Sequence, residues 1–292
     1  MKMQNIAIIL KPDWNSLFPN VVINLVKWLV RKKIKVHALS KERDNFKSIF
    51  NDHQLHLKYI DSKELKKQNL IISLGGDGTI IGLCRLLKSS VPIFGVNWGR
   101  LGFITEFSAE TMYEHLSDTL NGKSEYSKVS LSKVVVERSK KIIFQEYFIN
   151  DVVLSKSNIS RLFAVSIECN NEIMQQISGD GLILSTPIGS TAYSLAAGGP
   201  IVHPQVKSFI LSPICPHSLL HRPIVVPADF EICVRLEEQD RHITLTVDGQ
   251  VIFEIDHHCL VKVSSTPRHG VVFVKNPDRT YFRTMREKFF PK

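Results

Sequence analysis

The sequence predicts two domains of different class: an α/β N-terminal domain on a parallel sheet, then an all-β, sandwich-like C-terminal domain. Three observations carry this. Short apolar runs alternate with amphipathic stretches up to Gly122. Beyond Gly122 the chain is rich in β-branched strand-like runs separated by turn signals. The chain has 292 residues, 43% hydrophobic and 22% charged, which suffices for two cores of ordinary size.

In the first part, NIAIIL (5–10) is a short apolar run ended by Lys11-Pro12, as a buried strand would be. PNVVINLVKWLVRKK (19–33) places Val22, Leu25, Val26, Leu29 and Val30 on one helical face. Strands follow at IKVHAL (34–39), LIISL (70–74) and VPIFGVN (91–97). TIIGLCRLLKSS (79–90) reads as a helix, and so does SAETMYEHLSDTLNGK (108–123), with a Ser N-cap and a Gly stop. The polar, basic stretch 40–69 carries no assignment. Strands alternating with helices imply a parallel, Rossmann-like sheet covered on both faces.

The second part supplies SKVVVERS, KIIFQEYFINDVVLS, FAVSIEC, GLILS, FILSPIC, EICVRLE, ITLTVDGQVIFEI, LVKVSS and GVVFVK. These are strand-like, and Asp248-Gly249 inside TVDGQVIFEI is a strong hairpin signal. The organisation that follows is an α/β nucleotide-binding domain over 1–125 and a β-rich domain over 126–276. The tail 277–292, which contains YFRTMREKFFPK, forms a short helix packing back on the first domain.

Charge and cysteine usage narrow the function. The formal net charge is +9, but the basic residues are scattered (31–33, 66–67, 140–141) and do not interleave with aromatics, so no nucleic-acid platform is expected. Cys84, Cys169, Cys215, Cys233 and Cys259 stand far apart without a CxxC, as free thiols in a reducing compartment would. The apolar run before Lys11 is too short for a signal-peptide core, and no run is long enough to span a membrane. A cytoplasmic protein is expected.

The chemistry concentrates in a few stretches. In NLIISLGGDGTIIG (69–82) a strand stops at Gly75-Gly76, presents Asp77, and resumes as a helix at about Thr79. Ligands of open parallel sheets bind beyond the strands' carboxyl ends. Gly75, Gly76 and Gly78 let the backbone come close to a ligand, and a helix N-terminus favours phosphate. Asp77 there can bind a metal, accept hydrogen bonds from ribose hydroxyls, or take a proton from a hydroxyl. A plain Gly-Asp-Gly turn is the structural alternative. No Gly-Lys-Ser/Thr follows, so this is not a P-loop. GVNWGRLGFITE (95–106) is the next strand-to-helix loop, whose Leu101, Phe103 and Ile104 suit a loop folded over something.

In FINDVVL (148–154), Asn150 and Asp151 interrupt an apolar strand run; a ligand partner and a capped strand end explain them equally well. SGDGLILSTPIGSTAYSLAAGGPIVHP (178–204) combines Ser178, Asp180, hydroxyls, small residues and Tyr193, which can stack on a base. So many small polar residues suit a ligand site better than a core. His203, His217 and His221 lack HExxH company and read as capping or core-edge residues, and no GxSxG nucleophile elbow occurs.

Taken together, GGDGT (75–79), GVNWGRLGFITE (95–106), IND (149–151), DGLILSTPIGSTAYSLAAGGPIVHP (180–204) and SPICPHSLLHRPIVVP (212–227) closely resemble the NAD kinase family. The resemblance implies phosphorylation of the 2′-hydroxyl of the adenosine ribose of NAD by ATP, giving NADP and ADP. It implies that Asp77 is the catalytic base and that Gly75, Gly76 and Thr79 belong to the phosphate loop. It implies an NAD site of Gly78, Asn150, Asp151, Arg161, Ser178, Asp180, Thr191, Ala192, Tyr193, Ser194, Leu195, Ala196 and Gln250. No resident metal site is implied; Mg²⁺ or another divalent cation acts with ATP. A homo-oligomer, dimer or tetramer, would complete the site from a neighbouring subunit. The sequence departs from the family pattern at Ser178, where a basic residue is common, and at Ile188, where Thr is usual. A lipid or sugar kinase sharing GGDG, and a non-catalytic dinucleotide-binding module, are the competing readings.

Overall fold

A computed structural model describes residues 3–11, 19–50, 55, 57–97, 102–156, 163–237 and 243–290. The chain divides into two compact units, Met1–Val129 with Gly270–Lys292, and Ser130–His269. The sequence reading places these divisions at 125 and 276.

The first unit runs β1 (Asn5–Leu10), α1 (Pro19–Arg31), β2 (Lys35–Leu39), α2 (Arg43–Phe50), β3 (Lys58–Ile60), β4 (Leu70–Leu74), α3 (Asp77–Leu87), β5 (Pro92–Asn97), β6 (Phe107–Ser108) and α4 (Met112–Leu120). Its strands are parallel in the order β3-β2-β1-β4-β5, with Ile6 opposite Leu70 and Ile71 opposite Ile93. Every residue of β4 is buried, as a central parallel strand requires. One face packs Ile6, Ile8, Leu70 and Ile72 against Val22, Leu25 and Leu29 of α1, Phe46 of α2 and Leu116 of α4. The other face receives α3: a Cβ on Gly95 would stand 2.4 Å from Ile80 Cδ1.

Chain order reverses between β1 and β4, since β2 flanks β1 on its other side. In such sheets the crevice beyond the carboxyl ends at that point is the ligand position. Here it is bordered by Lys11, whose N–H donates to Leu74 O at 3.0 Å, and by Gly75–Asp77. The unassigned stretch 40–69 supplies α2, β3 and a 3₁₀ segment (Ser62–Lys67) started by an Asp61/Glu64 capping box. The helix expected over 108–123 is shorter, because Phe107 and Ser108 pair with β5; Gly122 does stop it, at φ 73°.

The second unit contains β7 (Tyr126–Arg138), β8 (Lys141–Phe148), β9 (Asp151–Lys156), β10 (Phe163–Cys169), β11 (Glu172–Gly179), β12 (Gly181–Ser185), a one-turn α5 (Tyr193–Ala196), β13 (Ser208–Ile214), β14 (Ile224–Pro227), β15 (Ile232–Leu236), β16 (Ile243–Val247), β17 (Val251–Ile255) and most of β18 (Cys259–Val274). One antiparallel sheet has the order β14-β13-β12-β9-β16-β17. Facing it, β11, β10, β15 and residues 260–263 of β18 pair antiparallel. Leu154, Leu184 and Leu245 of one sheet share a core with Val165, Val234 and Val261 of the other, which makes the unit a sandwich. LVKVSS and GVVFVK, read as two strands, form the single strand β18. Its last residues return to the first unit, where Val272 and Phe273 pair parallel with Pro92 and Ile93 of β5. The chain closes with α6 (Tyr281–Phe289).

Ile72, fully buried at the centre of the first unit's sheet, reports on that core. Ile72→Ala is expected to cost about 2–5 kcal/mol in urea unfolding; a loss below about 1 kcal/mol would contradict this packing.

Candidate active site

Helix α3 begins at Asp77, two residues before the expected Thr79, with Gly76 as its extended N-cap. The carboxylate therefore sits in the first turn, where the helix dipole favours it. Residues 102–105 fold over it. Oδ1 accepts from Thr105 N at 2.9 Å, Thr105 Oγ1 at 2.8 Å and Ile104 N at 3.3 Å, while Oδ2, among the described residues, accepts from Phe103 N alone, at 2.9 Å. Thr105, fully buried, is itself fixed by Gly102 N and Asn97 Nδ2, both 3.0 Å from its hydroxyl. A Cβ on Gly102 would lie 1.9 Å from Asp77 Oδ1, so glycine is required there by close approach alone. The arrangement saturates one carboxylate oxygen and leaves the other with accepting capacity. Trp98 to Leu101 of the same loop lie outside the described residues.

The predicted phosphate loop divides in two. Gly75 and Thr79 shape it: Gly75 N donates to Val96 O, Thr79 N donates to Gly76 O, and a Cβ on Gly75 would lie 2.3 Å from Thr79 Oγ1. Gly76, by contrast, would meet nothing within 4 Å, and Gly78 is exposed. Open, glycine-lined backbone at a helix N-terminus is suited to a phosphate group.

In the second unit, FINDVVL is broken: β8 ends at Phe148 and β9 starts at Asp151, with Asn150 in the bend. Asp248 makes the bend. Its carboxylate accepts from Asn150 N at 2.8 Å and from Ile149 N and Asp151 N, each at 3.2 Å. Its own N–H donates to Asp151 O at 2.9 Å. The sequence reading took Asp248-Gly249 for a hairpin turn, which it is, between β16 and β17. Asp248 also adopts φ 50°, a left-handed conformation that Asp tolerates, and from there it reaches across to the IND segment. Only its place before a hairpin Gly hinted at this.

The bend is locked from the other side as well. Thr186 N donates to Asn150 O at 2.8 Å and Thr186 Oγ1 to Ile149 O at 2.5 Å. A Cβ on Gly189 would stand 2.2 Å from Asn150 O. Asn150 Oδ1 is buried with no hydrogen-bond partner among the described residues, so the site holds an acceptor that awaits a donor. Asp151 is 4% exposed. Burial, reinforced by the Asp248 carboxylate, pushes its pKa up to about 7.

The remaining candidates spread along 178–199. Asp180 forms an ion pair with Lys156 at 2.6 Å, and that hydrogen bond holds its carboxyl below the usual range. Ser178, two residues before Asp180 in β11, accepts through its backbone O from His217 N at 2.9 Å. Thr191 ends a 3₁₀ turn (Gly189–Thr191), and Ala192 connects that turn to α5. Ser194 is fully buried and hydrogen-bonded to Ser212 at 2.9 Å. On the same turn Tyr193, 48% exposed, and Ala196 face solvent, and Leu195 is half-buried. Gln250 is exposed in the β16–β17 turn, away from the Asp151 carboxyl's buried setting. Arg161 lies outside the described residues. His217 is exposed, and His203 Nδ1 accepts from Gln205 N. Among the described residues no group of three His, Cys, Asp or Glu side chains is arranged for a metal.

Two outcomes follow. Gly102→Ala forces the 102–105 loop off Asp77, so faster hydrogen exchange at Phe103 and Thr105 is expected, with β4 protection kept; unchanged exchange would contradict the capture geometry. For Asp151, a raised pKa in the folded state means that the wild-type fold holds an extra proton between about pH 4 and 7, so stability falls as pH rises through that window. Asp151→Asn should therefore raise the melting temperature at pH 8 and leave it nearly unchanged at pH 4. An equal gain at both pH values would show that ionisation is not the cause.

Comparison with known proteins accords with this arrangement. Residues 6–124 match the family model for the ATP-NAD kinase N-terminal domain, and residues 149–275 that for the ATP-NAD kinase C-terminal domain. The NAD kinase of Geotalea daltonii is 39% identical over 76% of this chain and 78% of its own. That of Solibacter usitatus is 35% identical over 97% of this chain and 96% of its own. Among solved structures, an NAD kinase from Archaeoglobus fulgidus in complex with ATP superimposes with a TM-score of 0.75 at 26% identity, covering 98% of both chains. Yeast NADH kinase, solved with NADH, shares the fold with a TM-score of 0.90 at 23% identity, over 100% of this chain and 89% of its own. By these matches the chain belongs to the NAD kinase family.

Proposed function

We propose that this protein transfers the γ-phosphoryl group of ATP to the 2′-hydroxyl of the adenosine ribose of NAD, giving NADP and ADP. The observation that carries the reading is Asp77: a carboxylate fixed in the first turn of a helix, one oxygen filled and the other taking a single donor. The 2′-oxygen attacks the γ-phosphorus as the bond to the ADP oxygen breaks, and the hydroxyl proton passes to Asp77 Oδ2. A positioned base of this kind is worth about 10²–10⁴-fold, and the larger share of catalysis falls to positioning and phosphate-charge neutralisation.

The open surroundings of Gly76, with Gly75 and Thr79 shaping the loop, suit the donor's phosphates, and Gly78 lies at the NAD ribose. A divalent cation enters with ATP, chelated by its phosphates, and neutralises their charge; the donors already crowding Asp77 Oδ1 suit a base more than a metal ligand. In the second unit, Asn150 and Asp151 hold the adenosine part of NAD, the unfilled Asn150 Oδ1 accepting one of its donor groups. Tyr193 stacks on a planar ring, and Asp180, Thr191, Ala192, Ser194, Leu195 and Ala196 line the dinucleotide with Ser178, Arg161 and Gln250 beside them. Leu219 and Leu220, 81% and 89% exposed, suit a surface covered in a homo-oligomer. No helix among the described residues is long and apolar enough to cross a membrane, and a cytoplasmic location belongs to this reading.

The test is NADP⁺ formation from NAD⁺ and MgATP by wild type and Asp77→Asn. Activity in the wild type, reduced by at least about 10²-fold in the variant with NAD⁺ binding retained, is expected. Equal activities would remove Asp77 as the base. No NADP⁺ from either protein, with NAD⁺ still bound, would favour a binding module.

A further inference from the structure

The loop that captures Asp77 is itself held from the C-terminal end of the chain. Asn276, 6% exposed, donates its N–H to Glu106 Oε2 at 2.7 Å and its Nδ2 to Glu106 O at 2.9 Å. Lys275 N donates to Glu125 O. Beyond this tie, α6 brings two rings to Phe103: Tyr281 at 6.0 Å and Phe289 at 5.7 Å between centroids. Lys288 Nζ lies 5.3 Å over the Phe103 ring. The helix is braced internally. Thr280 caps it through Arg283 N, Arg283 reaches Asp278 O and Glu287, and Arg279 bonds Thr284 and Glu287. Phe103 is the residue whose N–H supplies the one donor on Asp77 Oδ2 among the described residues.

These contacts exceed what is needed to bury a tail. Phe103 and Glu106 flank the two other donors, Ile104 and Thr105, so the loop is fixed at both ends of its donor row. We infer that residues 275–289 act as a strap that sets the 102–106 loop and thereby the direction of the Asp77 carboxylate. Phe289, Tyr281 and Phe103 are positioning residues for phosphoryl transfer. The inference rests on the proposed role of Asp77. Misplacing a catalytic group by about 1 Å from a remote contact can cost about 10²-fold in rate, whereas substrate affinity, which does not depend on this loop's aim, should change little.

The experiment uses the full chain as wild type, Phe289→Ala, Phe289→Tyr, Asp77→Asn and the Asp77→Asn/Phe289→Ala double variant. Steady-state NAD⁺ phosphorylation and amide hydrogen exchange are both measured. Phe289→Ala is expected to lower kcat by about 10-fold or more with KM for NAD⁺ and ATP within about two-fold, and Phe289→Tyr to restore it. The double variant should be no slower than Asp77→Asn alone, because the strap works through that carboxylate. Exchange at Phe103, Ile104 and Thr105 should quicken in Phe289→Ala while β4 stays protected. Wild-type kcat in Phe289→Ala, a full multiplicative loss in the double variant, or unchanged exchange at 103–105 would each overturn the strap. Wild-type kcat in Asp77→Asn would instead overturn the base assignment on its own, with the exchange result still deciding whether the strap holds the loop.

Discussion

A carboxylate that draws a run of backbone N–H groups around itself organises both units of this protein. In the first unit Asp77 gathers Phe103, Ile104 and Thr105; in the second Asp248 gathers Ile149, Asn150 and Asp151. Charge-assisted bonds of this kind contribute about 1.5–3 kcal/mol each when made, and a buried carboxylate without them is strongly penalised. Each loop is therefore held in one shape by a single acid, and the residues it carries keep fixed directions without a helix or strand beneath them. The difference lies in what each acid does besides. Asp77 retains an oxygen with room for another donor. Asp248 is consumed by its structural task, and the acid it positions, Asp151, is left with burial and a like charge as neighbours.

That last pairing explains why a destabilising group is kept. A buried carboxyl that prefers its proton near neutral pH weakens the fold, and Asn would be the more stable choice. Strain of this sort is tolerated where a ligand relieves it. Asn150 Oδ1 next to it, buried without a hydrogen-bond partner among the described residues, sits in the same bend, locked from two directions.

Much of the architecture was legible before the structure. Apolar runs of five or six residues ended by Lys-Pro or Gly-Gly mark parallel strands because such strands are buried on both faces, and β1, β4 and β5 fall where the runs are. Boundaries were harder. Nothing local tells that Asp77 opens α3 two residues early; the donors that stabilise it there come from a loop more than twenty residues downstream. FINDVVL reads as one strand because its apolar pattern is continuous, and the break at Asn150 is imposed by Asp248, which is remote in sequence. The stretch 40–69 was opaque because its helix and strand are short and peripheral, with few apolar positions to set a period. Asp77, Asn150, Asp151 and Asp180 stood out as acids and amides in apolar or glycine-rich surroundings. Thr105 and Thr186 did not, and Phe103 and Asp248 stood out only as a loop residue and a turn residue, since their hydrogen bonds are long-range and composition does not reveal them.

The path of the chain also dictates an order of assembly. The second unit is one continuous segment, Ser130–His269, and holds all of its own strands once that segment exists. The first unit is not: the Pro92–Ile93 end of β5 acquires its second neighbour, Val272 and Phe273, and the 102–106 loop its anchors, only from residues after Gly270. During synthesis, when domains ordinarily fold from the N-terminus onward, the first unit to emerge is thus the last to close. Until then β5 presents an unpaired edge of the kind on which chains associate wrongly. A chain that lacked the residues after Gly270 would hold a finished sandwich, an open parallel sheet and an Asp77 loop without its anchors.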